Sequence, residues 1–475
     1  MKLIYNVNDR PKFGQLIVFA IQQLLAIMAA TLVVPVITGN GMQPAAALFG
    51  AGAGTLVYVL FTKAKSPVFL GSSFAFLGSM AAAFAGGVSM QLGYLGLILG
   101  AILAGLVYVI IALIVKVAGV NWVNKLMPPV VIGPTVAIIG LSLAGNAVGD
   151  LTTGEVTKTV TDTVAVVKDG AAVLETVESS VVVTSPYVAL LCGLVTLAVT
   201  MLCSTFGKKM VRLIPFILGI LAGYAVAAIF TVIGNVAGID ALKVINFGYL
   251  TDLVAGGVTI GTFLTVPEFT FLTALGGFGE LNGAYIASIA VAYVPVAFVV
   301  FAEHIADHKN ISSIIEKDLL EDPGLSRTLL GDGVGSMVGA IFGGCPNTTY
   351  GESVGCVAIT GNASVVTIIA AAIGAMLIAF LTPFVAFVDS IPPCVMGGVC
   401  MALYGFIAVS GLKMVQKVDL EENRNLFVVS TILIAGIGGL TLTFGKVTIT
   451  SIACALILGI LANVMLSGKD KKDAE

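Results

Sequence analysis

Long apolar runs follow one another along almost the whole chain, and short polar or charged breaks separate them. A membrane helix needs about 20 mostly apolar residues, and fourteen runs approach or exceed this length. The sequence therefore predicts fourteen membrane-spanning segments. Their approximate limits are 13–38, 44–62, 66–86, 92–115, 128–149, 184–204, 212–236, 284–305, 325–344, 347–362, 364–386, 391–411, 425–440 and 447–466.

Composition supports lipid rather than water as the solvent. Of the 475 residues, 58% are hydrophobic and only 10% are charged, whereas soluble domains contain about 25% charged residues. The 56 glycines fit this reading, because small residues let membrane helices approach closely. These values exclude a water-soluble fold, a disordered chain and a secreted disulfide scaffold.

Charge and metal-ligand content exclude further classes of function. The net charge of -3 provides no basic surface for nucleic acid, and two histidines cannot form a multi-histidine metal centre. The seven cysteines lie in apolar stretches without a CxxC spacing, so we interpret them as packing residues. We expect no metal site.

The basic residues predict the orientation. With the N-terminus in the cytoplasm, 19 of the 23 lysines and arginines fall on the cytoplasmic side, as the positive-inside rule requires. Both termini are then cytoplasmic. Residues 151–182, rich in Thr and Val, are predicted to form a hairpin-like excursion on the outside.

A repeated helix start indicates an inverted repeat. The fifth segment begins with Pro128-Pro129 and the twelfth with Pro392-Pro393, and both continue with apolar residues and a glycine. Seven segments separate the two copies, so they begin on opposite faces of the membrane. This arrangement is typical of secondary transporters. Chance similarity of two Pro-Pro helix starts is the alternative.

The third and tenth segments are poor helices. Residues 66–76 and 343–353 place Pro, Gly and hydroxyl residues where an ordinary span contains Leu and Ala. Short extended stretches leading into half-helices would explain both, and the free amides at half-helix starts would suit the carbonyl oxygens of a small polar ligand. Alternatively, these glycines only permit close packing.

Three acids stand out in or beside the predicted spans, and none has a Lys or Arg in the same apolar run: Glu303, Asp307 and Glu352. An acid at the bilayer centre costs about 2.5 to 3.5 kcal/mol on insertion scales, so each indicates function. Glu303 and Asp307 share one helix face, where a bound proton would relieve their repulsion. In the alternative reading, Asp307 and His308 mark the cytoplasmic helix end.

Two further polar residues are interpreted without a catalytic role. His304 is expected to be a packing or interfacial residue, and so is Asp332 at the start of the ninth segment. Asp332 invites comparison with intramembrane aspartyl proteases, but Leu329 replaces the first glycine of their Gly-x-Gly-Asp motif. An intramembrane hydrolase is therefore disfavoured, and we expect no enzymatic activity.

Several motifs resemble those of the nucleobase-ascorbate transporter family, especially its uracil-transporting bacterial members. They are residues 71–76 (GSSFAF), 302–304 (AEH), 317–320 (KDLL) and 346–352 (PNTTYGE). The resemblance covers essentially the whole chain. It implies an all-α membrane protein of fourteen segments in a seven-plus-seven inverted repeat. The core domain would comprise residues 1–127 and 281–386. The gate domain would comprise residues 128–240, which include an outer loop at 150–183, and residues 387–466. A cytoplasmic tail, residues 467–475, would follow.

The resemblance also implies a substrate site. Glu303 and Glu352 match the family's substrate-binding carboxylates, and Phe74 and Gly351 match positions that contribute main-chain amides. Asp307 matches a proton-coupling position, a role that Glu303 could share. The other expected site residues are Gln23, Ser73, Tyr350 and Tyr404. Ser353 departs from the family pattern, which usually has Asn there.

These motifs imply a symporter that imports uracil with a proton across the plasma membrane, through alternating access. Its expected partners are a nucleobase, the lipid bilayer and a second copy of the chain bound through the gate domain. No cofactor is expected besides the co-transported proton. The alternatives are a xanthine or other purine carrier and an inorganic-anion transporter of the same architecture. In the family, glutamate at the position of Glu352 fits pyrimidines, whereas purine carriers usually have glutamine there.

Overall fold

The computed structural model describes residues 3–119, 121–168, 171–208, 210–444 and 447–467. Helices dominate it. Those of the first half are α1 (Phe13–Thr38), α2 (Pro44–Phe61), α3 (Leu77–Ala83), α4 (Met90–Ala118), α5 (Asn121–Leu126), α6 (Pro129–Ser142), α7 (Ala144–Asp150), α8 (Pro186–Phe206), α9 (Met210–Leu213) and α10 (Pro215–Ala237).

The second half is built in the same manner. Its helices are α11 (Gly248–Ala255), α12 (Ile260–Phe263), α13 (Thr270–Ala274), α14 (Gly283–Ile315), α15 (Leu325–Gly343), α16 (Gly351–Thr360), α17 (Val365–Ile378), α18 (Thr382–Asp389), α19 (Pro393–Val415), α20 (Asn423–Ile437) and α21 (Ser451–Leu466). The strands are β1 (Leu70–Ser72), β2 (Thr157–Lys168), β3 (Ala171–Val182), β4 (Asn347–Thr349), β5 (Leu442–Phe444) and β6 (Val447–Ile449).

Helix length and composition fit a protein that crosses the membrane many times. Among the described residues, eight helical stretches are long and apolar enough to span a bilayer, namely α1, α2, α4, α6 together with α7, α8, α10, α14 and α19. Four apolar helices are shorter, including the stretch Phe74–Ala83. The count of fourteen spans and their inverted pairing stay predictions.

Local sequence explains where many helices begin. Proline occupies a first-turn position in α2, α6, α8 and α10, where its missing N–H is not needed. The Asn282 side chain accepts a hydrogen bond from the Tyr285 amide and caps α14. Gly344 and Gly361 adopt the left-handed conformation that ends α15 and α16.

The chain divides into two compact units. The first comprises Met1–Ala144, Phe263–Val385 and Leu403–Glu475, and the second comprises Gly145–Thr262 and Ala386–Ala402. Within the second, β2 and β3 pair antiparallel from Thr157 with Val182 to Lys168 with Ala171. The prediction of a hairpin at residues 151–182 is therefore confirmed. The core and gate domains stay predictions.

Glycines bring α2 and α15 together in the first unit. A side chain at Gly50 would overlap the Gly339 backbone, and one at Gly54 would lie 2.6 Å from the Gly335 carbonyl oxygen. Four-residue spacing places these glycines on one stripe of each helix, the small-residue pattern of close membrane-helix pairs. This contact fixes the two helices that flank β1 and β4.

Candidate functional site

Two short strands cross in the interior of the first unit. β1 and β4 pair antiparallel, with Leu70 opposite Thr349 and Ser72 opposite Asn347. Each strand leads directly into a helical start, at Phe74 in one case and at Gly351 in the other. The extended stretches predicted in segments three and ten are present. Because the strands are antiparallel, the helices that follow them leave the crossing in opposite directions.

Buried side chains hold the crossing. The Thr55 hydroxyl accepts from the Leu70 amide over 2.9 Å and lies 3.2 Å from the Leu70 carbonyl oxygen. The Asn347 side chain donates to the Gly50 carbonyl over 3.1 Å. Short strands without neighbours would leave backbone groups unpaired in an apolar interior. Thr55 and Asn347 form hydrogen bonds with some of the backbone groups in this region and attach the crossing to α2.

Tyr350 lies between β4 and α16. Its ring packs on Gly71, where any side chain would overlap it, and its hydroxyl donates to the Ser72 carbonyl over 2.7 Å. Only 4% of Tyr350 is exposed. The structure therefore shows Tyr350 bracing β1 against β4, and its predicted contact with substrate stays a prediction.

Gln23 reaches the crossing through Ser353. The Gln23 amide nitrogen donates to the Ser353 hydroxyl, which also accepts from the Phe69 amide over 3.0 Å. All three groups are buried. Ser353, which departs from the family pattern, thus connects α1, α16 and the start of β1. Its role could not be read from the sequence, because its two partners are distant along the chain.

We expect Ser353→Ala to destabilise the protein. The change leaves two buried donors without an acceptor, at about 1 to 3 kcal/mol for each. The measurement is the apparent unfolding temperature of the purified protein in detergent, which should fall. Ser73→Ala is the matched control, because the buried Ser73 hydroxyl has no hydrogen-bond partner among the described residues. Equal unfolding temperatures for the two variants would contradict this role of Ser353.

The three predicted acids converge near the start of α16. Asp307 accepts a hydrogen bond of 2.9 Å from Thr349, and its other oxygen would lie 3.8 Å from a Cβ placed on Gly351. Glu303 interacts electrostatically with both Asp307 and Glu352. Within the part of the chain that the structure describes, no lysine or arginine forms an ion pair with any of them. The acids therefore lie together without a compensating cation.

Phe74, Ser73 and Tyr404 are further residues of the predicted site. Phe74 and Tyr404 meet edge to face, with ring centroids 5.6 Å apart, and both are buried. The Ser73 hydroxyl lies at the start of the same helical turn. The first amides of a helix have no acceptor within that helix. The amides at the starts Phe74 and Gly351 can therefore donate to a ligand, and their sharing one site with Glu303 and Glu352 stays a prediction.

Asp332 and His304, predicted to be packing or interfacial residues, lie in the packed interior of the protein. Asp332 is fully buried, and its Oδ2 lies 2.6 Å from His304 Nδ1. His304 is also fully buried. The reading of Asp307 and His308 as the helix end is wrong, since α14 continues to Ile315 and both residues are buried. Hydropathy marks where an apolar run ends, and this helix extends beyond that point.

Comparison with known proteins identifies the family. The model of the permease family Xan_ur_permease matches residues 14–444, nearly the whole chain. The chain belongs to this nucleobase-ascorbate transporter family. It is therefore a multi-pass membrane permease and not an enzyme.

Curated relatives match this permease over nearly its whole length. A uracil permease of Bacillus caldolyticus is 38% identical over 472 residues, covering 98% of this chain and 96% of the relative. A uracil permease of Escherichia coli (strain K12) is 34% identical over 459 residues, covering 96% of this chain and 92% of the relative.

Solved structures support the fold. The transmembrane domain of the cyanobacterial bicarbonate transporter BicA superposes with a TM-score of 0.60 at 15% identity, covering 95% of this permease and 97% of that domain. Murine Slc26a9, an anion transporter in the inward-facing state, also gives 0.60, at 10% identity, covering 97% of this permease and 69% of that chain. At such low identity these similarities concern the fold alone.

Proposed function

We propose that this permease imports uracil together with a proton across the plasma membrane. The observation that carries the proposal is the convergence of Glu303, Asp307 and Glu352 near the start of α16, beside the β1–β4 crossing. The relatives named uracil permease support the choice of substrate.

Uracil matches the chemistry of these groups. It presents two ring N–H donors and two carbonyl acceptors. Glu303 and Glu352 supply acceptors, and the amides at Phe74 and Gly351 supply donors. A desolvated donor or acceptor without a partner costs about 1 to 3 kcal/mol, so a base with a different pattern would bind less well.

The grouped acids support proton coupling. Carboxylates that approach one another away from cations repel, and a proton shared among them removes part of that repulsion. Asp307 is the proposed coupling group, and Glu303 is its partner on the same face of α14. Uracil and the proton would then enter together and leave together. This acidic environment also disfavours an inorganic anion as substrate.

Transport requires that the site open to each side in turn. We propose alternating access in which the predicted core domain, 1–127 and 281–386, carries the site and the predicted gate domain, 128–240 and 387–466, moves relative to it. Both termini would be cytoplasmic. The functional form would be a homodimer formed through the gate domain.

Uptake of labelled uracil by cells that overproduce the permease tests this proposal. Accumulation should exceed that of control cells and collapse when a protonophore is added, because no proton gradient then drives it. Excess unlabelled uracil should compete fully, whereas xanthine should compete weakly. Accumulation that persists with protonophore would contradict proton coupling, and stronger competition by xanthine would favour the purine alternative.

A further inference from the structure

Thr349 forms a direct contact between the strand crossing and the coupling acid. It is the last residue of β4, it is fully buried, and its hydroxyl lies 2.9 Å from Asp307 Oδ2. Asp307 belongs to α14, so the hydrogen bond connects two separate elements. Since a carboxylate only accepts, Thr349 is the donor whenever Asp307 is ionised.

The same carboxyl group also approaches the residue after Tyr350. A Cβ on Gly351 would lie 3.8 Å from Asp307 Oδ1. One oxygen of Asp307 therefore contacts the end of β4, and the other faces the start of α16. Tyr350, between these contacts, is fixed to β1 through its hydroxyl. A change in the charge of Asp307 would consequently act both at the end of β4 and at the start of α16.

We propose that Thr349 is a positioning residue that makes the geometry of the uracil site depend on the charge of Asp307. With Asp307 ionised, the Thr349 hydroxyl donates to it and draws the junction toward α14. With Asp307 protonated, the acid itself can donate, and the threonine hydroxyl no longer has to point at it. The Gly351 amide is then in position to donate a hydrogen bond to uracil. The inference rests on the proposed proton-coupled transport of uracil.

Other titratable groups share the environment of Asp307. Those that interact electrostatically with it are Glu303 on α14, Glu352 on α16, Asp332 on α15, Tyr58 on α2 and Tyr108 on α4. His304 and His308, on α14 itself, are held by Asp332 and Tyr58 respectively. Thr349 differs from these groups because it is a neutral donor placed directly on the carboxylate.

Thr349→Val tests the proposal. Valine keeps the shape of threonine but removes the donor, and a hydroxyl that donates to a carboxylate stabilises its ionised form. Without it, the charge of Asp307 is no longer transmitted through this hydrogen bond to the end of β4. Binding of labelled uracil to the purified full-length permease should therefore lose the pH dependence that the wild type shows.

Two further variants separate positioning from packing. Thr349→Ser retains the hydroxyl and should restore the wild-type pH profile. Thr348→Val is the matched control, because the buried Thr348 hydroxyl has no hydrogen-bond partner among the described residues. Its profile should match that of the wild type.

The outcomes distinguish this inference from the proposed function. A pH-dependent wild type with an equally pH-dependent Thr349→Val variant would overturn the positioning role alone. The same loss of pH dependence in Thr348→Val would assign the effect to packing and would also overturn it. A wild type that binds no uracil, or binds it equally at every pH, would refute the proposed substrate or the proposed coupling, and the inference with it.

Discussion

Glu352→Ala should abolish uracil uptake, and Glu303→Ala should do the same. Each change removes a carboxylate acceptor and leaves a desolvated uracil N–H without a partner. At about 3 kcal/mol for a lost hydrogen bond to a charged group, affinity falls about 100-fold. Initial rates of labelled uracil uptake, corrected for the amount of permease in the membrane, measure the effect.

Controls make this prediction specific to the site. Glu352→Gln retains the size of the side chain and one acceptor oxygen, so it should transport more uracil than Glu352→Ala and less than the wild type. Glu268→Ala removes an exposed glutamate outside the site and should leave uptake unchanged. Normal uptake by both alanine variants at wild-type abundance would defeat the assignment of the two glutamates.

Asp307→Asn should separate binding from accumulation. Asparagine can still interact with the Thr349 hydroxyl, but it cannot gain or lose a proton in the physiological range. Cells carrying this variant should equilibrate uracil without concentrating it. Exchange of labelled for unlabelled uracil across proteoliposome membranes should persist, because exchange requires no net proton movement.

The measurement for Asp307→Asn is the ratio of internal to external uracil at steady state, compared with the exchange rate. We expect a ratio near that of wild-type cells treated with protonophore. Protonophore-sensitive accumulation at the wild-type level would show that Asp307 is not the coupling group. Loss of exchange and accumulation together would show that Asp307 is needed for binding itself.

Sequence patterns alone could predict a large part of the architecture. Apolar runs located the helices, and proline with glycine and hydroxyl residues located the stretches that became β1 and β4. These features are local, since a helix or its interruption is decided by neighbouring residues. Glu303 and Glu352 could also be identified locally, because each is an acid within an apolar segment.

Contacts between distant segments could not be predicted in this way. The register that places Leu70 opposite Thr349 depends on how two strands far apart in sequence meet. Asp332 pairs with His304, and Thr349 bonds to Asp307, because of how separate elements pack together. The residues next to each partner in the sequence do not indicate these pairings. Threonine is also common in membrane helices as a backbone-bonded residue, so Thr349 had no distinctive pattern.

The central claim is that these acids hold uracil and a proton in one site. Isothermal titration of the purified permease with uracil, repeated in buffers of different ionisation enthalpy and across a pH series, measures both events at once. We expect tight binding with net proton uptake near and above neutral pH, and no measurable binding by Glu303→Ala or Glu352→Ala. Binding without proton uptake at every pH, or unaltered affinity in both variants, would contradict the claim.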